Sequence, residues 1–225
     1  MASSERPTIA ILGGTGNLGI GLATRWLAAG YQVILGSRDR EKAIKAALAL
    51  RAGSSGSISG ATNLDAARDG AIVVVAVPYA SHHAVLAEVA PVVAGKIVID
   101  AVVPLIPPKV STVQLPPEGS AAVAARRILG DGVRVTSAFH NVSAAKLQAM
   151  GPVDCDVLVF GDDKEARDAV ISLAAAAGLR GIDGGGLANS VAAEALTAVL
   201  IGINRRHKVP GAGIRITGLS AADAG

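Results

Sequence analysis

The chain has 225 residues, 51% of them hydrophobic and 17% charged, with a formal net charge of +3. That is enough apolar sequence to bury a full core as one large domain, or as one domain with a small appendage. The basic residues are scattered among only two Phe, two Tyr and one Trp, which argues against nucleic-acid binding; the lone Cys155 leaves neither a disulfide framework nor a cysteine metal site. No apolar run of about 18 residues goes without charge, glycine or proline, and Met1 to Arg6 is polar. A cytoplasmic protein with no membrane segment is expected.

A strand predicted at 8–13 runs directly into Gly14, Gly16 and Gly19, which fit G-x-G-x-x-G, and a helix predicted at 17–29 follows. Strand, turn and helix in that order make a dinucleotide-binding turn. Gly14 allows the tight turn, Gly16 lets backbone approach a pyrophosphate and Gly19 lets helix pack on strand; the phosphates then meet N–H groups at the helix's positive end. A second strand, 32–36, leads into Ser37 and Arg38, about twenty residues after the glycines, where NAD enzymes present an acid to the ribose 2′-hydroxyl. Here a hydroxyl and a guanidinium stand instead, and in the next helix, 39–51, Lys42 lies one turn from Arg38 on the same side. That set suits a 2′-phosphate. Two charge-assisted hydrogen bonds of roughly 1.5–3 kcal/mol each favour NADP over NAD by about two to four decades. The competing reading is a solvated helix face, since Asp39 and Glu41 alternate with Arg38, Arg40 and Lys42.

Gly53 to Gly60 reads as a Ser/Gly-rich surface loop before a helix at 63–69. The apolar strand 71–77 ends at Pro78, as a central parallel strand does, and its carboxyl end faces the ligand crevice of such a sheet. Helix 79–93, strand 97–101, helix 118–129, strand 133–137, strand 156–160, helix 163–177 and strand 179–183 continue the alternation. Between them, Val102 to Glu118 carries Pro104, Pro107, Pro108, Pro116 and Pro117, a long stiff segment suited to walling a substrate site. Asp162 and Asp163 read as caps of the helix after Gly161, and Cys155 as a small buried residue. His82 and His83 are adjacent and point to different helix faces, which makes a shared metal site a poor reading. After Gly184-Gly185-Gly186 comes a helix at 188–204 whose only charge is Glu194, apolar enough to bury in a subunit or domain interface. Residues 211–216 read as a glycine hinge and short strand, and 220–225 as a frayed tail.

The expected fold class is α/β: a Rossmann-type doubly wound parallel sheet with a small, largely helical C-terminal part. The boundary falls between a nucleotide-binding domain at 1–183 and a segment at 184–225.

These residues resemble the NADPH-dependent reductases of coenzyme F420, a deazaflavin. The resemblance spans nearly the whole chain: GGTGNLG at 13–19, GSR followed by EKA at 36–43, Val-Pro at 77–78 and 103–104, Ser-Ala-Phe-His at 137–140, Ser-Ala-Ala at 143–145, Gly-Asp-Asp at 161–163 and Leu-x-Asn at 187–189. It implies a Rossmann domain, a smaller C-terminal part that helps form a homodimer, and a cleft between them. It places the NADP pyrophosphate on Thr15, Gly16, Asn17 and Leu18, the 2′-phosphate on Ser37, Arg38 and Lys42, and the nicotinamide half against Val77, Ser81, Val103 and Ala144. Some relatives carry His where this chain has Ser81.

The implied chemistry is hydride transfer from nicotinamide C4 to deazaflavin C5, in which the protein stacks two rings and keeps water out. It needs no metal. His140 is the polar candidate near the rings, either donating to the carbonyl edge of the small-molecule co-substrate or orienting it; the alternative is a histidine capping local backbone. Two other functional readings stay open from sequence: an NADPH enzyme of the same fold acting on a flavin, imine or ferric chelate, and an NADPH-binding sensor without turnover.

Overall fold

The computed structural model describes residues 6–51 and 55–219. Its central strand, Ile9–Leu12 (β1), is wholly buried, and the sheet grows outward from it. β1 pairs in parallel with Val33–Ser37 (β2) and Ile72–Val75 (β4), the latter with Ile97–Asp100 (β5), and β5 with Arg134–Ser137 (β6). Asp156–Gly161 (β7) and Arg180–Asp183 (β8) complete that side, and Ile58–Thr62 (β3) closes the other edge. The eight strands lie in the order β3-β2-β1-β4-β5-β6-β7-β8.

Continuous apolar strands need helices on both faces, and the chain supplies them. Asn17–Ala28 (α1), Arg40–Leu50 (α2), Ala144–Gln148 (α6) and Lys164–Ala176 (α7) cover one face, where Ile9 and Ile11 pack with Trp26, Leu147 and Val170. Asn63–Asp69 (α3), Tyr79–Val89 (α4) and Ala121–Leu129 (α5) cover the other, where Ala10 and Leu12 meet Ala66, Leu86 and Ala125. The alternation of β1 side chains between two cores is the doubly wound fold that the sequence predicts.

Three expectations are corrected. The surface loop predicted at 53–60 gives way from Ile58 to β3, an edge strand registered on β2 from Val33↔Ile58 to Ser37↔Thr62; residues 53–54 lie outside the described residues. Gly60 is required there, because a Cβ would fall 2.3 Å from the α2 backbone at Ala43 and Ile44. The sheet is not parallel throughout: β7 runs antiparallel to β6. Between them the chain makes only the short α6 beside α1 and never recrosses the sheet, so β7 starts at the edge where β6 ended. Residues 211–216 form no strand; they run extended beside β7, with Asp156 N–H donating to the Ile214 carbonyl at 2.8 Å. The tail expected to fray at 220–225 lies outside the described residues.

α6 was not predicted, and tertiary contacts explain it. Gly21 lets α6 sit against α1, since a Cβ there would lie 2.8 Å from Leu147. The buried Arg25 then binds the carbonyls of Leu147 (2.8 Å), Lys146 (3.0 Å) and Gly151 (2.7 Å), closing the end of a helix too short to hold itself. Ser190–His207 (α8) follows a single 3-10 turn at Leu187–Asn189. Together these residues are long and apolar enough to cross a membrane by length and composition. Yet Glu194, in the second turn of α8, is buried with its two carboxylate oxygens accepting the N–H groups of Ala121 (2.7 Å) and Ala122 (3.1 Å). α8 is thus held on the N-terminus of α5.

Candidate active site

The turn after β1 is shaped by close backbone packing. Gly13, not Gly14, takes the left-handed conformation (φ +70), and a Cβ on it would meet the Ala76 carbonyl at 2.8 Å. Gly14 sits behind the turn, where a Cβ would lie 2.7 Å from the Ile11 carbonyl, and its N–H donates to the Gly36 carbonyl at 2.9 Å. A Cβ on Gly19 would fall 2.7 Å from Gly14 Cα, so helix and turn touch there. Gly16 differs: it is exposed at the N-cap of α1, and a Cβ would meet only the Gly13 carbonyl, at 3.3 Å. α1 has no side-chain cap and no acid in its first turn. Its first N–H groups, beginning at Asn17 and Leu18, are therefore ready to receive an anion.

Thr15 and Gly16 line one cleft with Ser37, Arg38, Lys42, Val77 and Ser81. Seven of the residues proposed for the cofactor thus come together at the carboxyl ends of β1, β2 and β4. Asp39, the acid nearest the ribose position, N-caps α2 by accepting from Lys42 N–H at 3.1 Å, and Ser37 Oγ accepts from Asp39 N–H at 3.2 Å. Arg38 and Lys42 are exposed, and among the described residues neither enters a salt bridge. Sequence reasoning missed Asn63, which also lines the cleft; it is buried, and its Oδ1 accepts the Gly13 N–H at 3.2 Å. Its signal was hidden because the strand before it had been read as loop.

Val103, Ala144 and His140 do not line that cleft. Val103 faces a small apolar cavity with Pro104, Leu115 and Ala198, between the proline-bearing segment and α8. Ala144 begins α6, and Ser143 before it N-caps that helix. His140 lines a separate cavity with Val142, Ser143, Thr197, Leu200 and Asn204, built from the loop after β6, α8 and the extended segment at Gly211 and Ala212. Burial pushes the His140 imidazole down to about 4, with the Asp100 charge and carbonyl offsetting only part of it, so the ring is neutral at pH 7. Its Nε2 lies 3.3 Å from Ser137 Oγ, and among the described residues its buried Nδ1 makes no well-formed hydrogen bond.

The caps divide differently from expectation. Asp163 does cap α7, accepting from Ala166 N–H at 2.7 Å, whereas Asp162 accepts from Leu187 N–H at 2.9 Å and ties the end of β7 to the turn before α8. His82 is buried while His83 is exposed, and His82 Nε2 lies 2.7 Å from Asp100 Oδ2. Burial lowers the His82 imidazole, but the Asp100 hydrogen bond and charge outweigh it, leaving the ring above its usual range. Burial raises the Glu194 carboxyl to about 7 against the pull of its two amide donors. An acid ending the apolar run Ile97–Asp100 is the signal that would have found the His82 pair.

A glycine turn at a helix N-terminus, two unpaired cations at the end of β2 and a second cavity farther along the carboxyl edge define a Rossmann-type NADP-binding oxidoreductase. Residues 8–104 match the family described as NADP oxidoreductase, coenzyme F420-dependent. The F420-dependent NADP reductase of Methanothermobacter thermautotrophicus is 45% identical over 221 residues, covering 94% of this chain and 95% of that protein. The F420-dependent NADP reductase of Methanocaldococcus jannaschii is 43% identical, covering 94% and 98%. The fold is similar to a crystal structure of a proposed F420-dependent NADP-reductase from Arthrobacter sp. FB24, with a TM-score of 0.79 at 24% identity over 94% of this chain and all of that one. The chain belongs to the F420-dependent NADP reductase family.

Proposed function

We propose that the protein catalyses reversible transfer of a hydride between NADPH and coenzyme F420, with uptake of one proton in the direction of F420 reduction. The observation that carries this reading is the pair of cavities on one sheet edge, a cationic nucleotide cleft after β1, β2 and β4 and a mixed apolar and polar cavity after β6. When bound, the nicotinamide and the deazaflavin supply the donor and acceptor carbons. The free α1 amides and Gly16 hold the pyrophosphate with Thr15, Asn17 and Leu18 beside it and Gly14 shaping the turn; Ser37, Arg38 and Lys42 hold the 2′-phosphate. Val77 and Ser81, which line the cleft, flank the nicotinamide half, with Val103 and Ala144, outside that cleft, approaching the rings from the segments after β5 and β6. His140, neutral and set in the wall of the acceptor cavity, orients the acceptor rather than exchanging a proton at pH 7. This constellation brings two rings within reach and excludes water, which is where the rate comes from.

In this reading residues 1–183 bind NADP, and 184–225 supply α8 as the far wall of the acceptor cavity. Exposed Ile106, Val113 and Leu115 on the proline-bearing segment and Val199 on α8 support association into a homodimer, which sedimentation would show as a species of twice the chain mass. A buried free Cys155 and small-molecule substrates fit a cytoplasmic enzyme. The testing experiment adds NADPH to the protein with oxidised F420: loss of the deazaflavin's visible absorbance supports the assignment, and an unchanged spectrum refutes it.

A further inference from the structure

Asp100 ends β5, the strand that stands between the cleft after β4 and the cavity after β6. It is fully buried, and it binds in three directions. Its Oδ2 meets His82 Nε2 at 2.7 Å, pinning the first turn of α4, where the neighbouring Ser81 lines the nucleotide cleft. Its Oδ1 accepts the Val102 N–H at 2.9 Å, fixing the turn into Val103 and Pro104. Its backbone carbonyl accepts the Ala138 N–H at 3.1 Å, two residues before His140. Tyr79 stacks on the His82 ring at 6.3 Å between centroids and holds it from the outside.

A buried carboxylate with so many exact partners is costly to keep unless its position matters, since an apolar residue would fill the space more cheaply. We propose that Asp100, braced by His82, is a positioning residue for hydride transfer: it sets the spacing between the cleft wall at Ser81, the segment that starts at Val103 and the acceptor wall at His140. This rests on the proposed reaction. Neither side chain touches the 2′-phosphate cleft at Ser37, Arg38 and Lys42, so anchoring of NADPH stays apart from alignment of the rings. An error of an ångström in that spacing costs about 100-fold in rate while leaving the anchor intact.

The experiment compares His82→Ala, His82→Gln and Asp100→Asn with the wild type in single-turnover reduction of F420, in NADPH binding by calorimetry without F420, and in hydrogen exchange of the Val102 amide. We expect His82→Ala and Asp100→Asn to slow hydride transfer by about 10- to 100-fold, with NADPH affinity within about threefold of wild type. His82→Gln, which keeps a donor for Asp100, should recover most of the rate lost in His82→Ala. In Asp100→Asn the Val102 amide should exchange about tenfold faster, because a neutral acceptor holds it less well. Unchanged transfer rates overturn the proposal, as does a loss that tracks NADPH affinity and melting temperature together. The wild type separates the two claims: if it leaves F420 oxidised, the reaction itself is wrong, whereas a failed strut shows as variants that match an active wild type.

Discussion

Among single residues, the placement of charge gives two predictions, one for cofactor choice and one for pH behaviour. Arg38 and Lys42 line the nucleotide cleft with no salt bridge among the described residues, so a 2′-phosphate would be their first strong partner. Arg38→Ala with Lys42→Ala should raise KM for NADPH by about two to four decades and leave KM for NADH nearly unchanged. Lys42→Ala alone should cost less than Arg38→Ala, because a guanidinium forks two bonds to phosphate. Equal losses for both cofactors would contradict the assignment. Glu194 and His140 make a second prediction. Glu194 titrates near 7 when folded and 4.5 when unfolded, so the folded state holds the proton and loses stability as pH rises through that window. His140 titrates near 4 when folded and 6.5 when unfolded, so stability is lost as pH falls from 6.5 and regained as it rises. Between pH 5 and 6.5 the two slopes oppose, each worth roughly 2 kcal/mol. Urea unfolding should therefore show Glu194→Gln gaining about 2 kcal/mol relative to wild type over that rise, and His140→Asn losing about as much. Parallel pH profiles for all three proteins would refute both shifts.

At the scale of elements, the β1–turn–α1 unit was legible because each part carries its own signal: an apolar strand, glycines at fixed spacing and a helix-prone run. Even so, motif spacing assigned the tight turn to Gly14, while the left-handed residue of the turn is Gly13, where the Ala76 carbonyl leaves no space for a side chain. β3 and α6 escaped notice for a related reason. β3 is Ile-Ser-Gly-Ala-Thr, with little apolar alternation, and exists because β2 offers a free edge. α6 is five residues long and is held by Arg25 and Gly21 from a distant helix. For the buried pairs His82–Asp100 and Glu194–α5 the acids stand out in their apolar runs, but their partners, 18 and 72 to 73 residues away, do not. Because Gly16 has open space beyond a single carbonyl, Gly16→Val should abolish NADPH binding in calorimetry while the ligand-free melt stays close to wild type. A binding-competent variant would mean that the glycine serves the turn alone.

At the scale of the whole molecule, the sheet order sets out the chemistry along one edge. In the proposed arrangement nucleotide phosphates sit at β1 and β2, the ring-facing residues after β4 and β5, and the acceptor in the cavity after β6, with α8 folded over it and held by Glu194. That the sheet is doubly wound could be read from alternating patterns; that β7 reverses could not, because direction depends on where α6 leaves the chain rather than on strand composition. In the proposed reaction hydride passes directly between two rings aligned on this edge. It is tested most directly with NADPH carrying deuterium on the transferred face of C4. Direct transfer places the label on C5 of the reduced deazaflavin without exchange into water. Label lost to solvent, or retained on the nicotinamide while the deazaflavin is reduced, would contradict it.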